Sequence, residues 1–533
     1  MEKPANKWIV AERLLLVVAL ILHFSNLQGL SIYALDEAKN ATAAIEMMHH
    51  HEWVIPTFNG EYRFDKPPLH YYFFILAYKI FGINEFAARF FPALFGFLTT
   101  YMVYRFVRKQ AGVKAGLFTL LALSSSLHWY IQFHMAVPDP FLIFFMCAGM
   151  LSFYRWTLSG FRNTPLMLIT YTSLALAVLS KGPVGVLIPF IALLSYGLIS
   201  QMLNGKRLLR IFNPLGLAVF FAIALPWYVL VAIKTDGVWL QEFFFKHNLG
   251  RFSAPMEGHG GGFWLTWGYV IAGMLPFAVF LPQSVWYSIK FRAQRVTTFA
   301  LVVAATIVLF FMFAGTKLPN YTVPAYPFLA ILVGCYLGRL KKHQLRKAMF
   351  WPSLIYVILL IILPFTIYYG LKSDPSLTIK PALFIAFASP WMVLPLIYYS
   401  YKQRQLGRLA ASMGGGFIVV TLVFFWYGFP MLDQQNPVLA AKLAEVKSGE
   451  VFYYKIFNPG FSFYLQRPIE DLMKVPDPPR ADGFLITRKR FLSELDHLGL
   501  HYEIIHEGKD LFEPPITVVL KLMPASLDSD PDL

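Results

Sequence analysis

Residues 33–89 read YALDEAKNATAAIEMMHHHEWVIPTFNGEYRFDKPPLHYYFFILAYKIFGINEFAAR, and the fold is read outward from this stretch. It lies between an apolar run at residues 11–30 and another at 86–106, so it is a loop joining two hydrophobic spans. It carries the pair Asp36-Glu37 where the first span ends and the turn Asp65-Lys66-Pro67-Pro68. Amphipathic helical patterns run over residues 37–48 and 69–81. Ionisable groups at the edge of hydrocarbon are costly, which makes them candidates for function.

The rest of the chain supports a membrane setting. Its 533 residues are 57% hydrophobic and 14% charged, with a mean hydropathy of +0.53, outside the range of a soluble globule. The formal charge of +16 does not point to nucleic acid, because the Lys and Arg residues punctuate apolar runs instead of covering one polar face. Cys147 and Cys335 lie far apart inside expected spans, so they suggest neither a disulfide framework nor a metal cluster, and say nothing about redox compartment. The basic start and apolar run of the N-terminus resemble a signal peptide. The run continues to Leu30 without a small-residue cleavage pattern, so an uncleaved first span is expected.

Windows of about 20 residues give about 13 expected spans. They fall at residues 11–30, 86–106, 115–130, 139–158, 165–180, 184–203, 214–233, 264–288, 299–315, 323–340, 349–369, 381–401 and 409–429. Lys3, Lys7 and Arg13 flank the first span, and every second connection after it is basic. An excess of Lys and Arg marks the cytoplasmic side, which places the N-terminus inside and the loop at 33–85 outside. The expected organisation is a membrane domain at 1–430 with a second external loop at 234–263. A small extracytoplasmic α/β domain follows at 431–525, and a disordered tail at 526–533. In that small domain Asn436-Pro437 reads as a helix start and Gly449 as its stop, with strand patterns at 451–454, 483–487, 502–505 and 516–522 and a helical pattern at 488–498. Neither a glycine-rich phosphate loop, a dinucleotide fingerprint nor a fixed-period repeat is present, so a cytoplasmic nucleotide site is not expected.

The run from LDEA through GEYRFDKPPLHYY to GINEFAARF resembles the first external loop of a known family. This family is the polyprenyl-phosphate-sugar-dependent membrane glycosyltransferases of the C-type (GT-C) superfamily, in particular the aminoarabinose (lipid A) transferase and protein O-mannosyltransferase group. VPDPF at 137–141, LSKGPVG at 179–185, KHNLGRF at 246–252 and KLPNYTVPAYP at 317–327 resemble it as well. The resemblance covers most of the membrane half and is weaker in the C-terminal region. It implies a GT-C-like inner-membrane enzyme that inverts at the anomeric carbon and uses an undecaprenyl-phosphate-linked sugar. The implied acceptor, on the periplasmic side, is lipid A or another glycolipid; a protein hydroxyl is the alternative within the enzyme class.

Such a donor needs cations for its phosphate, and Lys66, Arg251, Lys317 and Lys181 are the candidates, with snorkelling to the interface as the alternative for each. Asp36 is the candidate base, with an ordinary helix cap as the alternative; Glu37 and Asp139 are the other catalytic candidates, and capping alone also explains Asp139. The resemblance places Asp139 beside the site, facing Asp36. It also implicates Asp65 and His247 in binding a possible divalent metal ion, although this chain has Asp where that family shows Glu, and two donors fall short of a four-ligand signature. His49-His50-His51 reads as a solvated loop, and His259 as a mobile loop residue. Tyr71, Tyr72, Phe73 and Phe74 line an isoprenoid groove, or are interfacial-belt residues and ordinary packing. A flippase for lipid-linked substrates would instead show paired halves with midplane charges, and a silent scaffold would tolerate loss of Asp36 and Lys66.

Overall fold

The computed structural model describes residues 4–33, 35–201, 205–254, 260–291, 295–375, 377–475, 483–511 and 513–524. Among them, 9 helices are long and apolar enough to cross a membrane, or 10 if Leu265–Gly273 and Phe277–Lys290, bent by 110°, form one span. Fewer spans qualify than hydropathy windows suggest, because those windows do not see where helices break. The expected span at 115–130 is the 12-residue helix Val113–Ser124, followed by a break and the short helix Leu127–Phe133. The one at 184–203 is the 16-residue helix Val184–Ile199. At 1.5 Å per residue these reach about 18 and 24 Å, short of the roughly 30 Å hydrocarbon core. The first expected span is the helix Pro4–His23, which ends seven residues early.

Asparagine caps set several helix starts. Asn84 accepts from the Ala87 amide ahead of Glu85–Ala111, Asn163 from Leu166 ahead of Thr164–Lys181, and Asn213 from Gly216 ahead of Pro214–Lys234. The helices Asp139–Leu158, Thr164–Lys181, Glu85–Ala111, Val113–Ser124 and Tyr326–Arg339 pack into the centre of the bundle. Leu345–Lys372 and Leu209–Lys234 bury only 17% and 22% of their most apolar windows. Their outward Ile361, Ile362, Phe365 and Phe221 suit lipid, which is as apolar as they are.

A buried ion pair fixes the polar loop at the top of the bundle. Glu37 accepts from Arg89 Nε and Nη2 at 2.7 and 2.8 Å, and also from the Tyr33 and Ala136 amides. Arg89 spends its remaining donors on the carbonyls of Leu27, Leu30 and Ser31. The end of the first hydrophobic segment, the helix Asp36–His49 and the approach to Asp139 are thereby held together.

A hairpin of β1 (Thr57–Phe58) and β2 (Glu61–Tyr62) follows, and the helix Leu69–Phe81 returns the chain to the membrane. The C-terminal region forms a five-stranded sheet of β3 (Val451–Tyr453), β4 (Glu470–Asp471), β5 (Phe484–Arg488), β6 (Tyr502–Lys509) and β7 (Ile516–Leu522), in the order β4-β3-β5-β7-β6. β3 pairs parallel with β4 and β5, and β7 antiparallel with β5 and β6. The strand patterns predict four of the five; β4 and the helix Gly460–Leu465 carry no periodicity long enough to read. The sheet is docked on the first loop. The Asn59 side chain exchanges two hydrogen bonds with the Ile469 backbone at 2.7 and 2.9 Å, Tyr464 Oη accepts from the Ile32 amide, and Tyr33 Oη donates to Glu513.

Candidate functional site

Four segments meet at a cavity of about 370 Å³ beneath this loop. The turn before Leu69–Phe81 supplies Asp65 and Lys66, and the start of Asp139–Leu158 supplies Asp139. The end of Thr164–Lys181 supplies Lys181, and the second external loop supplies His247, Asn248 and Arg251. The walls are apolar, with Leu142, Val184, Leu187, Phe243, Phe310 and Phe311 among them. Gly182 lets the second loop approach: its φ is +82°, and a Cβ there would lie 2.4 Å from the Phe243 ring.

Lys66 is buried at 6% exposure, in a segment held extended by Pro67-Pro68. Its ion pair to Asp65 is long, 3.7 Å, and no hydrogen bond to its ammonium is made among the described residues. Those donors are therefore available to a ligand. Arg251 lies across the cavity, and its backbone is pinned where its carbonyl accepts from the Thr316 amide and the Phe252 carbonyl from Gly315. Lys181 pairs with Asp139 at 2.7 Å and sits 5.2 Å from the Tyr321 ring centre. Asn320 also donates to Asp139, at 3.4 Å. Asp139 makes no side-chain cap, so its position answers to Lys181 and not to its helix.

Asp36 is the first residue of its helix, with Leu35 as the cap, and it makes no capping hydrogen bond. Burial pushes its carboxyl up, but Lys66 and then Arg63 and Arg251 outweigh burial and the opposing Asp65, leaving it below the usual carboxylate range. The same electrostatic reach joins Tyr321 to Arg251, Lys66, Asp139 and Asp36. Widely separated acids and bases thus converge on one place.

Several candidates are engaged elsewhere. Lys317 donates to the carbonyls of Met312 and Ala314 at 2.9 and 2.8 Å, capping the helix Arg295–Phe313, and it is not among the cavity's lining residues. Its charge serves a helix end in this structure, away from the cavity. Glu37 is engaged by Arg89 and two amides and is not among the cavity's lining residues. Of the four aromatics, Tyr71 and Phe74 are fully buried, Phe73 packs on Phe91, Phe95 and Phe141, and Tyr72 donates to the Trp53 carbonyl. None lines the cavity; phenylalanines of the second loop and of Arg295–Phe313 do. His259 and the tail lie outside the described residues.

Asp65 and His247 both face the cavity, yet they do not fit a divalent metal. The Asp65 carboxylate is taken by Arg63, with Nε 2.7 Å from Oδ1 and Nη2 2.9 Å from Oδ2, and Lys66 lies beyond it. Burial raises Asp65, but Arg63 and Lys66 hold it well below the ordinary carboxylate range. Burial lowers His247, with Asp65 opposing and Lys66 and Arg251 adding to the shift. Its Nδ1 has no hydrogen-bond partner among the described residues. A doubly charged ion about 4 Å from one such ammonium would be opposed by about 8 kcal/mol at an effective dielectric near 20. Among the described residues no group of three or more His, Cys, Asp or Glu could hold a metal.

Sequence reasoning passed over Arg63, Asn40 and Tyr321. Arg63 and Asp65 are two residues apart in an irregular segment between β2 and the helix Leu69–Phe81, where no periodicity marks a shared face. Asn40 accepts from Arg63 Nη2 at 3.2 Å and from Tyr71 Oη, and donates to the Asp36 carbonyl at 2.7 Å.

The sequence pattern of the family "Dolichyl-phosphate-mannose-protein mannosyltransferase" matches residues 15–241. An uncharacterized protein of Aquifex aeolicus (strain VF5) is 30% identical over 381 residues, 72% of this chain and 83% of that protein. The undecaprenyl phosphate-alpha-4-amino-4-deoxy-L-arabinose arabinosyl transferase of Serratia proteamaculans (strain 568) is 29% identical over 348 residues, 63% of this chain and 60% of its own. Among solved structures, ArnT from Cupriavidus metallidurans bound to undecaprenyl phosphate superposes with a TM-score of 0.77 at 23% identity, covering 97% of this chain and 98% of that one.

Proposed function

We propose a site and an acceptor for this chain from a premise about its family: it belongs to the membrane glycosyltransferases that draw sugar from a polyprenyl phosphate, the group of the aminoarabinose transferases and protein O-mannosyltransferases. It is an integral-membrane enzyme that moves a sugar from such a donor to an acceptor. Lys66 and Arg251 seat the donor phosphate, with Lys181 beside them, each charge-assisted hydrogen bond contributing about 1.5–3 kcal/mol. The isoprenoid leaves along the apolar wall formed by Leu142, Val184, Leu187 and Phe311. The observation that carries this reading is that Lys66 and Arg251 line one cavity and both act electrostatically on Asp36, the Lys66 ammonium unspent among the described residues.

Transfer proceeds by displacement. An acceptor oxygen attacks the anomeric carbon from the face opposite the phosphate, the carbon–oxygen bond to phosphate breaks, and its electron pair leaves on the polyprenyl phosphate. The configuration inverts, and Lys66 and Arg251 take up the charge that develops on the departing phosphate. A hydroxyl acceptor would pass its proton to Asp36. A carboxylate held below its usual range is a weak base, and that supports an acceptor that arrives already ionised. A phosphate of a glycolipid, lipid A by the resemblance read in the sequence, meets this requirement. Asp36 then serves as the negative charge facing the electron-poor anomeric carbon, and Asp139 holds Lys181. The match to a protein mannosyltransferase family supports a protein hydroxyl as the second reading. Incubating purified protein with labelled polyprenyl-phosphate sugar and a mixture of glycolipid and protein acceptors decides between them. Label in the glycolipid fraction is expected; label in protein overturns the acceptor, and no transfer overturns the enzyme reading.

We place the site and the sheet on the periplasmic face of the inner membrane, with the N-terminus cytoplasmic. The alternation of basic connections supports this, as does the docking of the C-terminal sheet on the first loop, which puts both on one side. A bilayer thins locally around short apolar helices, and counting Pro4–His23, Val113–Ser124 with its continuation, and Val184–Ile199 as crossings on that ground, with the bent pair as one, gives thirteen. Residues 431–525 act as a brace on the loop that carries Asp36.

A further inference from the structure

Arg63 touches three of the segments around Asp65. It is buried at 6% exposure, and its guanidinium pairs with Asp65, Nη2 donating to Oδ2 at 2.9 Å and Nε lying 2.7 Å from Oδ1. Nη2 reaches Asn40 Oδ1, on the helix that begins with Asp36, and Asn40 in turn holds the Asp36 carbonyl. The Arg63 carbonyl accepts from Trp239 Nε1 at 2.9 Å, and Trp239 is fully buried at the start of the second external loop, ahead of His247 and Arg251. The Arg63 side chain therefore joins the turn that carries Lys66 to the helix that carries Asp36, and its backbone carbonyl holds the start of the loop that carries Arg251.

A divalent cation bridging Asp65 and His247 would neutralise the carboxylate and tie the first loop to the second. Arg63 already does both: its guanidinium neutralises the carboxylate with a charge that neither dissociates nor titrates in the working range, and its backbone carbonyl holds Trp239 at the start of the second loop. We infer that Arg63 is a positioning residue that takes the place of a divalent cation at Asp65, so that sugar transfer by this chain needs no metal there. The inference rests on the donor-phosphate seat proposed above. It leaves the unpartnered His247 Nδ1 to face substrate instead of an ion.

The test uses full-length wild type, Arg63→Met and Arg63→Lys in lipid nanodiscs. Three quantities are read: bound metal by elemental mass spectrometry, affinity for polyprenyl phosphate, and transfer rate before and after EDTA. Wild type is expected to carry substoichiometric metal and to bind and transfer unchanged after EDTA. Arg63→Met should bind polyprenyl phosphate about 10- to 100-fold more weakly, the usual cost of losing a group that orients a ligand contact. Arg63→Lys, which keeps the charge and loses the fork, should recover part of that loss. A wild-type rate that falls in EDTA and returns with Zn²⁺ or Mg²⁺ overturns the inference, and so does Arg63→Met binding at wild-type affinity. Should Arg63→Met fail to fold, the wild-type metal content and the Arg63→Lys affinity still decide. Loss of the parent reading is recognised separately, as folded wild type that neither binds polyprenyl phosphate nor transfers sugar under any metal condition.

Discussion

Replacing Lys66 by methionine keeps most of the buried stem and removes the ammonium. The wild-type ammonium has a single long ion pair, 3.7 Å to Asp65, among the described residues, and Asp65 keeps Arg63 when it goes. Folding is therefore expected to survive, because no buried charge is left alone. Donor binding is not. One or two charge-assisted hydrogen bonds to phosphate, at about 1.5–3 kcal/mol each, convert to a loss of roughly 10- to 100-fold in affinity for each bond. The substitution also acts on Asp36. Burial raises that carboxyl, and Lys66 is the foremost of the charges that hold it down. In wild type Asp36 stays ionised to below the ordinary carboxylate range; without Lys66 its pKa rises, and it takes up a proton at higher pH. The acid limb of the rate profile should move toward neutrality in Lys66→Met. Titration of polyprenyl phosphate into nanodisc-embedded protein, followed by intrinsic fluorescence, reads the first effect, and transfer rates across the acidic range read the second. A variant that binds polyprenyl phosphate as tightly as wild type, with its acid limb unmoved, would refute the reasoning.

Glu37→Gln breaks a buried pair while leaving Arg89 charged, and should destabilise the protein by about 3–5 kcal/mol, read as a lowered melting temperature in detergent. Lys317→Met leaves two helix-end carbonyls unsatisfied and should cost about 1–3 kcal/mol of stability, with a far smaller effect on affinity for polyprenyl phosphate than Lys66→Met has. Asp139→Asn and Lys181→Met share one ion pair, so their effects on transfer should not add; a double-mutant cycle is expected to give a coupling of about 0.5–3 kcal/mol. Additive effects there would mean that the 2.7 Å contact does not operate during turnover.

Lys66, Lys181, Arg251 and Asp139 were legible in the sequence because a charge next to proline or glycine at the edge of an apolar run is conspicuous in one dimension. Lys317 is conspicuous for the same reason and yet caps a helix, since only its distance to the Met312 and Ala314 carbonyls separates the two uses. Glu37 looked equivalent to Asp36; its partner Arg89 is 52 positions away, beyond any local pattern. Arg63 was hidden by lying in a short irregular segment with no periodicity to mark a face. The span count suffered from a related blindness: hydropathy accumulates across the break after Ser124, where the backbone does not continue as one helix. In the C-terminal sheet alternation predicts strands, but the parallel pairing of β3 with β5 depends on a connection of about 30 residues whose path no local rule dictates.

The central claim is that a polyprenyl phosphate sits with its head on Lys66 and Arg251 and its chain against the apolar wall. A polyprenyl phosphate bearing a photoreactive group on its first isoprene unit, cross-linked to the full-length protein and mapped by peptide mass spectrometry, tests it directly. The account predicts adducts on Leu142, Leu187 and Phe311, competed by unlabelled polyprenyl phosphate and lost in the Lys66→Met, Arg251→Met double variant. Adducts confined to the lipid-facing helix Leu345–Lys372, or unchanged by that double substitution, would contradict it.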